Sequence, residues 1–122
     1  MYQFEKLDVW QGALDVIEVV YKLIDGFPNQ EKFALVNQIQ RSVTSIALNI
    51  AEGRGMSSDK EFKRFLRISL GSLFETVGAI KISVRLGYIS EAEAETALAL
   101  LDIQGAKIKA LIKRLAEVKN GK

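Results

Sequence analysis

The stretch from Gln38 to Gly53, QIQRSVTSIALNIAEG, decides how this chain folds. Gln38, Arg41, Ser42, Ser45, Asn49 and Glu52 recur at helical spacing and share one face, while Ile39, Val43, Ile46 and Ile50 occupy another. A second block, EFKRFLRISLGSLFE from Glu61 to Glu75, sets serines and a glycine into an otherwise apolar helical pattern in the same way. Together the blocks describe helices packed through a polar seam. Neither contains a nucleophile beside a base, nor a metal-ligand spacing, so the seam reads as architecture rather than bond-making chemistry.

Working outward, a first helix is predicted over 8–26. Its polar residues Gln11, Asp15, Glu18, Lys22 and Asp25 form one narrow stripe and nearly everything else is apolar, which predicts burial on more than one side and a second face free to meet another subunit. Gly26-Phe27-Pro28 stops that helix, and Asn29 is expected to cap a second over 30–53, ended by Gly53-Arg54-Gly55. Ser58 with Glu61 makes a capping box for a third helix over 58–87. Within it Gly71 and Gly78 interrupt the outer stripe; each costs about 1 kcal/mol relative to alanine, which predicts a neighbour packed on bare backbone. Ser90 with Glu93 repeats the box for a fourth helix over 90–119, whose inner face is Ala94, Ala97, Leu98, Leu101, Ile108, Leu111, Leu115 and Val118. No strand alternation or internal repeat appears. The expected fold is all-α: a single domain, 1–122, forming an antiparallel up-down four-helix bundle.

Composition narrows the function. The chain has 122 residues, 48% of them hydrophobic, enough for one real core. It contains no cysteine and no histidine, which removes thiolate nucleophiles, imidazole bases and the commonest transition-metal ligands. The expectation is therefore no enzyme, no cofactor and no metal. The start, MYQFEKLDVWQ, lacks a secretory pattern and no run approaches the roughly 20 apolar residues of a membrane span, so a cytoplasmic location with no membrane partner is expected. Net charge is +2, but Val36 to Ser90 carries eight basic and four acidic residues, an excess that favours a polyanion.

Candidate site residues follow from that excess. Arg54, Lys60, Lys63, Arg64 and Arg67 gather around the start of the third helix, and Lys113 and Arg114 belong to a basic run in the fourth with Lys107, Lys109, Lys119 and Lys122. They suit phosphate contacts; the competing readings are a solvated helix face and complementation of the last helix's dipole. Arg41, Ser42, Asn49, Glu52 and Glu75 are expected to form a structural polar cluster, with the guanidinium satisfied by carboxylates between helices. Trp10, Phe62, Phe65 and Phe74 fall at core spacing, so burial rather than base stacking is expected of them. Glu91, Glu93 and Glu95 fit dipole complementation better than catalysis. The stretch 53–58 reads as a plain turn, without a Walker pattern.

The segments KLDVWQ, FP, QIQRSVTSIALNIAEG, KEFKRFLRISLGSLFE and RLGYI, in that order, resemble the 23S rRNA intervening-sequence protein family across Phe4 to Leu115. The family's RS, NIAEG and GS-x-x-E elements correspond to Arg41-Ser42, Asn49 to Gly53, and Gly71, Ser72 and Glu75. Many relatives place Ile-Pro-Ser where this chain has Ile46-Ala47-Leu48. The resemblance implies a homopentameric toroid, related to the accessory variability protein that assists the reverse transcriptase of diversity-generating retroelements through a basic surface. Combined with the charge distribution, it implies a non-enzymatic homo-oligomeric scaffold that binds RNA or DNA. The alternative is a protein-interaction adaptor, such as an accessory subunit for a reverse transcriptase.

Overall fold

The computed structural model describes residues 1–31 and 33–120, with side chains described for 1–30 and 33–117. A 3-10 turn at Gln3–Lys6 leads into α1 (Asp8–Ile24); a second at Asn29–Glu31 precedes α2 (Leu35–Arg54), followed by α3 (Asp59–Arg85) and α4 (Glu91–Asn120). Each helix packs antiparallel on the next, and α4 closes back on α1. The described residues form four α-helices and no strand.

Local sequence accounts for most boundaries. Ser58 Oγ accepts the backbone N–H of Glu61 at 3.1 Å to start α3. At α4 the capping box is complete: Ser90 Oγ accepts from Glu93 N–H at 3.0 Å, and Glu93 Oε1 accepts from Ser90 N–H at 2.8 Å. Gly87, at φ +80°, supplies the left-handed residue that turns the chain between them. The start of α2 differs from expectation. Asn29 does not cap it; the chain makes a 3-10 turn there and α2 begins at Leu35 behind Ala34, which offers no side-chain cap. Phe27, buried against the Tyr88 ring at 6.1 Å, anchors the chain to the α3–α4 turn and sets where it can enter α2.

The core is built from one stripe of each helix: Val16 and Val20; Ile39, Val43, Ile46 and Ile50; Leu66, Leu73 and Ile80; Leu101 and Ile108. Three expectations fail here. The apolar circumference of α1 is used up within the chain, because Trp10 packs edge-on against Phe4 at 4.7 Å and Ile17, Val19 and Leu23 rest on the core. Tyr21 is the only large apolar side chain of α1 left exposed. Gly71 and Gly78 of α3 meet nothing within 4 Å, since their face points away from every other helix of the chain. Phe74 stands at the edge of that face, bordering a groove with Asp102 and Ala106 of α4 and with Lys109 Nζ 5.4 Å over its ring, and is 55% exposed, whereas Phe62 and Phe65 are buried as expected and Trp10 is half-buried.

Candidate nucleic-acid interface

The polar seam is made of hydroxyls. Ser42 and Thr76 share a hydrogen bond of 2.7 Å across the α2–α3 contact, and Ser45 and Ser72 one of 2.8 Å a turn away. Ser69 Oγ donates to the Ile46 carbonyl at 2.7 Å, and Asn49 Nδ2 donates to the carbonyl and hydroxyl of Ser45, both at 2.9 Å. Small hydroxylated residues let the two backbones approach while leaving no buried side-chain polar atom unpaired among the described residues.

The charged members of the expected cluster do not join this seam. Arg41, Glu52 and Glu75 are exposed, and no ion pair within 4 Å links them among the described residues. Water solvates a guanidinium at the rim at lower cost than a buried pair, so the carboxylates are not needed between the helices. Arg41 and Glu75 instead line the two walls of an open cavity of about 480 Å³, with Phe33 at its rim and the Ser45–Ser72 pair at its floor. Glu52→Gln and Glu75→Gln are therefore each expected to change stability by less than about 0.5 kcal/mol. Chemical denaturation checks this, and a loss above about 1 kcal/mol would restore the ion-paired cluster.

The basic candidates converge on one end of the bundle. Antiparallel packing brings the end of α2, the start of α3 and the later turns of α4 together there. Lys60, Lys63, Arg64 and Arg67 recur at three- and four-residue steps on the outer side of α3. Lys60 and Arg67 are exposed, and Lys63 and Arg54 are half-buried along their stems. Arg64 is engaged: its Nη2 lies 3.1 Å from Glu61 Oε1 and its guanidinium stacks 4.5 Å over the Phe65 ring. Lys113 and Arg114 are exposed on α4, and Arg114 borders a cavity of about 260 Å³ with Leu7, Asp8 and Lys107. Lys107 is paired with Asp8 at 3.3 Å. Lys119 and Lys122 lie outside the described side chains.

The opposite end carries Asp25, Glu91, Glu93 and Glu95. Lys22, Lys81 and Arg85 stand among those carboxylates, so that end is close to neutral, and the basic end also holds Glu52, Asp59 and Glu61. No group of acidic side chains that could hold a metal ion occurs among the described residues. No helix there is long and apolar enough to cross a membrane.

Two residues that sequence reasoning passed over prove structural. Gln104 is 2% exposed and its Nε2 donates to the Val9 carbonyl at 2.8 Å, tying α4 to the first turn of α1. Gly12 faces it, with no room for a Cβ beside the Gln104 amide oxygen. The available signal was a glutamine at an inner position between Leu101 and Ile108, and a glycine inside an apolar helix.

Comparison with known proteins agrees with the fold. A crystal structure of a protein of unknown function from the S23 ribosomal protein family of Bacteroides thetaiotaomicron superposes with a TM-score of 0.77 at 26% identity, covering 86% of this chain and 95% of that one. No curated protein matches. The profile of the 23S rRNA-intervening sequence protein matches residues 5–110, and the chain belongs to that family.

Proposed function

We propose that this protein is a non-enzymatic, homo-oligomeric scaffold, a pentameric ring as in similar proteins, that binds RNA through its basic end. The observation that carries this reading is the gathering of basic residues at one end of the bundle, where Arg54, Lys60, Lys63, Arg67, Lys113 and Arg114 outnumber Glu52, Asp59 and Glu61. In a ring of parallel copies, every basic end falls on one rim, and the positive field there exceeds that of one chain with its net charge of +2. The ligand is read by its backbone, because lysines and arginines on exposed helix turns contact phosphates without a base-reading arrangement.

The test is fluorescence anisotropy of nuclease-treated protein with a structured RNA across a salt series. Affinity should fall steeply between about 50 and 200 mM salt, and the Lys60→Glu/Arg67→Glu variant should lower the log–log slope by about 1 for each phosphate it leaves unneutralised. Indifference to RNA at low salt would overturn this reading in favour of an adaptor for another protein, such as a reverse transcriptase.

A further inference from the structure

The open cavity between α2 and α3 lies outside the basic end and takes no part in the RNA contacts proposed above. Its geometry follows from the seam. The Ser42–Thr76 and Ser45–Ser72 hydrogen bonds, 2.7 and 2.8 Å long, fix the register of the two helices. Arg41 and Glu75 are the chain neighbours of the first bonded pair, so they stand level with each other on opposite walls. Asn37, Arg41 and Ser45 follow at four-residue steps on α2, and Ser72 and Glu75 at a three-residue step on α3, which keeps each row on one side of its helix.

The charges face one cavity without meeting. No ion pair within 4 Å joins Arg41 to Glu75, and neither they nor Asn37 makes a side-chain hydrogen bond among the described residues. The floor has capacity left as well. The Ser45–Ser72 bond uses one of the pair's two hydroxyl protons, Asn49 Nδ2 is a donor to Ser45 Oγ, and the second proton has no acceptor among the described residues.

We propose that this cavity binds a small zwitterion, an α-amino acid with an apolar side chain, its carboxylate on the Arg41 guanidinium and its ammonium on the Glu75 carboxylate. Charge is the main argument. The lining holds one cation and one anion, so a polyanion would meet Glu75 and a polycation Arg41, whereas a ligand carrying both signs on one short frame satisfies both walls. A guanidinium takes a carboxylate through two parallel N–H bonds, and the spare serine proton points to the same acceptor.

Size and preorganisation agree. The volume of about 480 Å³ falls within the roughly 300–1,000 Å³ of small-molecule sites. Phe33, 93% exposed, and Ala34 are the only apolar lining residues, and they give the ligand's side chain a surface to cover at the rim. Both charges are already placed by rigid helices and release no described partner on binding, which keeps the cost of ordering low. One side of the site stays open to water, so the expected Kd is about 1 mM.

The experiment is saturation-transfer NMR titration of nuclease-treated protein with L-leucine, without RNA, so its outcome is independent of RNA binding. Two probes keep the leucine side chain and carry one charge each: isocaproate lacks the ammonium and isoamylamine the carboxylate. Leucine should saturate the protein, and each one-ended probe should bind at least about tenfold more weakly. Arg41→Gln and Glu75→Gln, both at exposed positions, should keep their helicity by circular dichroism and each weaken leucine at least about tenfold. The losses should be specific: Arg41→Gln no longer prefers leucine to isoamylamine, and Glu75→Gln no longer prefers it to isocaproate. Arg41→Lys and Glu75→Asp, which keep the charge and shift it, serve should either first variant fail to fold, and should weaken leucine without erasing those preferences. Absence of saturation by about 10 mM leucine, one-ended probes that bind as well as leucine, or variants with wild-type affinity would each overturn the proposal.

Discussion

Replacing Gly53 by alanine is expected to destabilise the bundle by about 2–3 kcal/mol, within the range of over-packing a well-filled core. For a chain of this length that is a fall in melting temperature of about 10 °C. A Cβ built at Gly53 lies 2.5 Å from Phe65 Cβ and 3.2 Å from Phe62 Cδ1. The closer atom is fixed to the α3 backbone and cannot swing aside as a side-chain tip would. Relief therefore requires the end of α2 to move off the start of α3, disturbing Phe62 and Phe65, each 7% exposed. A specific corollary follows: Phe65→Leu should not rescue Gly53→Ala, because leucine keeps the offending Cβ. Thermal denaturation of both single variants and the double would check this, and a rescued double would mean that the clash lies with the ring.

Gly12→Ala should cost about 2 kcal/mol by a different route. Here the added Cβ meets the Gln104 amide oxygen, the far end of a flexible side chain, so accommodation is possible. It is not free, because Gln104 is buried and its Nε2 hydrogen bond to the Val9 carbonyl breaks if the amide swings away. Gln104→Ala alone should cost a similar amount through the missing hydrogen bond and the cavity left behind. The pair should be strongly non-additive: in the double variant the Gly12→Ala penalty largely disappears, giving a coupling of about 1–2 kcal/mol. Urea denaturation of the four proteins of the cycle measures it, and simple additivity would show that Gly12 and Gln104 do not constrain each other.

The contrast between these glycines shows what pattern reading reaches. Gly53 stands at the end of the NIAEG element and is legible as a helix stop, yet the structure places it inside α2, where closeness to Phe65 excludes a side chain. Gly71 and Gly78 read as sites of close packing, and within one chain they face open space. In both cases spacing identifies a glycine without saying what lies opposite. The seam behaved likewise: the positions of Ser42, Ser45 and Asn49 were legible from periodicity, and the bond from Asn49 to the Ser45 carbonyl stays within α2, but the partners Thr76 and Ser72 depend on the register of α2 against α3. Arg41 and Glu75 share a periodic stripe with them and still end at the rim, because a charge that reaches water has no need of a buried partner.

Sequence by itself determined the class and connectivity of the fold. Helical periodicity, two capping boxes and the turns at 26–28 and 87 are local properties, decided by residues within a few positions of one another. It also fixed that the sequence holds no histidine and no cysteine, and so no imidazole base and no thiolate. Only the tertiary structure decided which apolar face is left over. Periodicity assigned a spare face to α1, but Phe4 and the neighbouring helices cover it, and the uncovered surfaces lie on α3 and α4. Amphipathicity ranks the faces of one helix, whereas exposure depends on the helices that surround it, and those are remote in sequence.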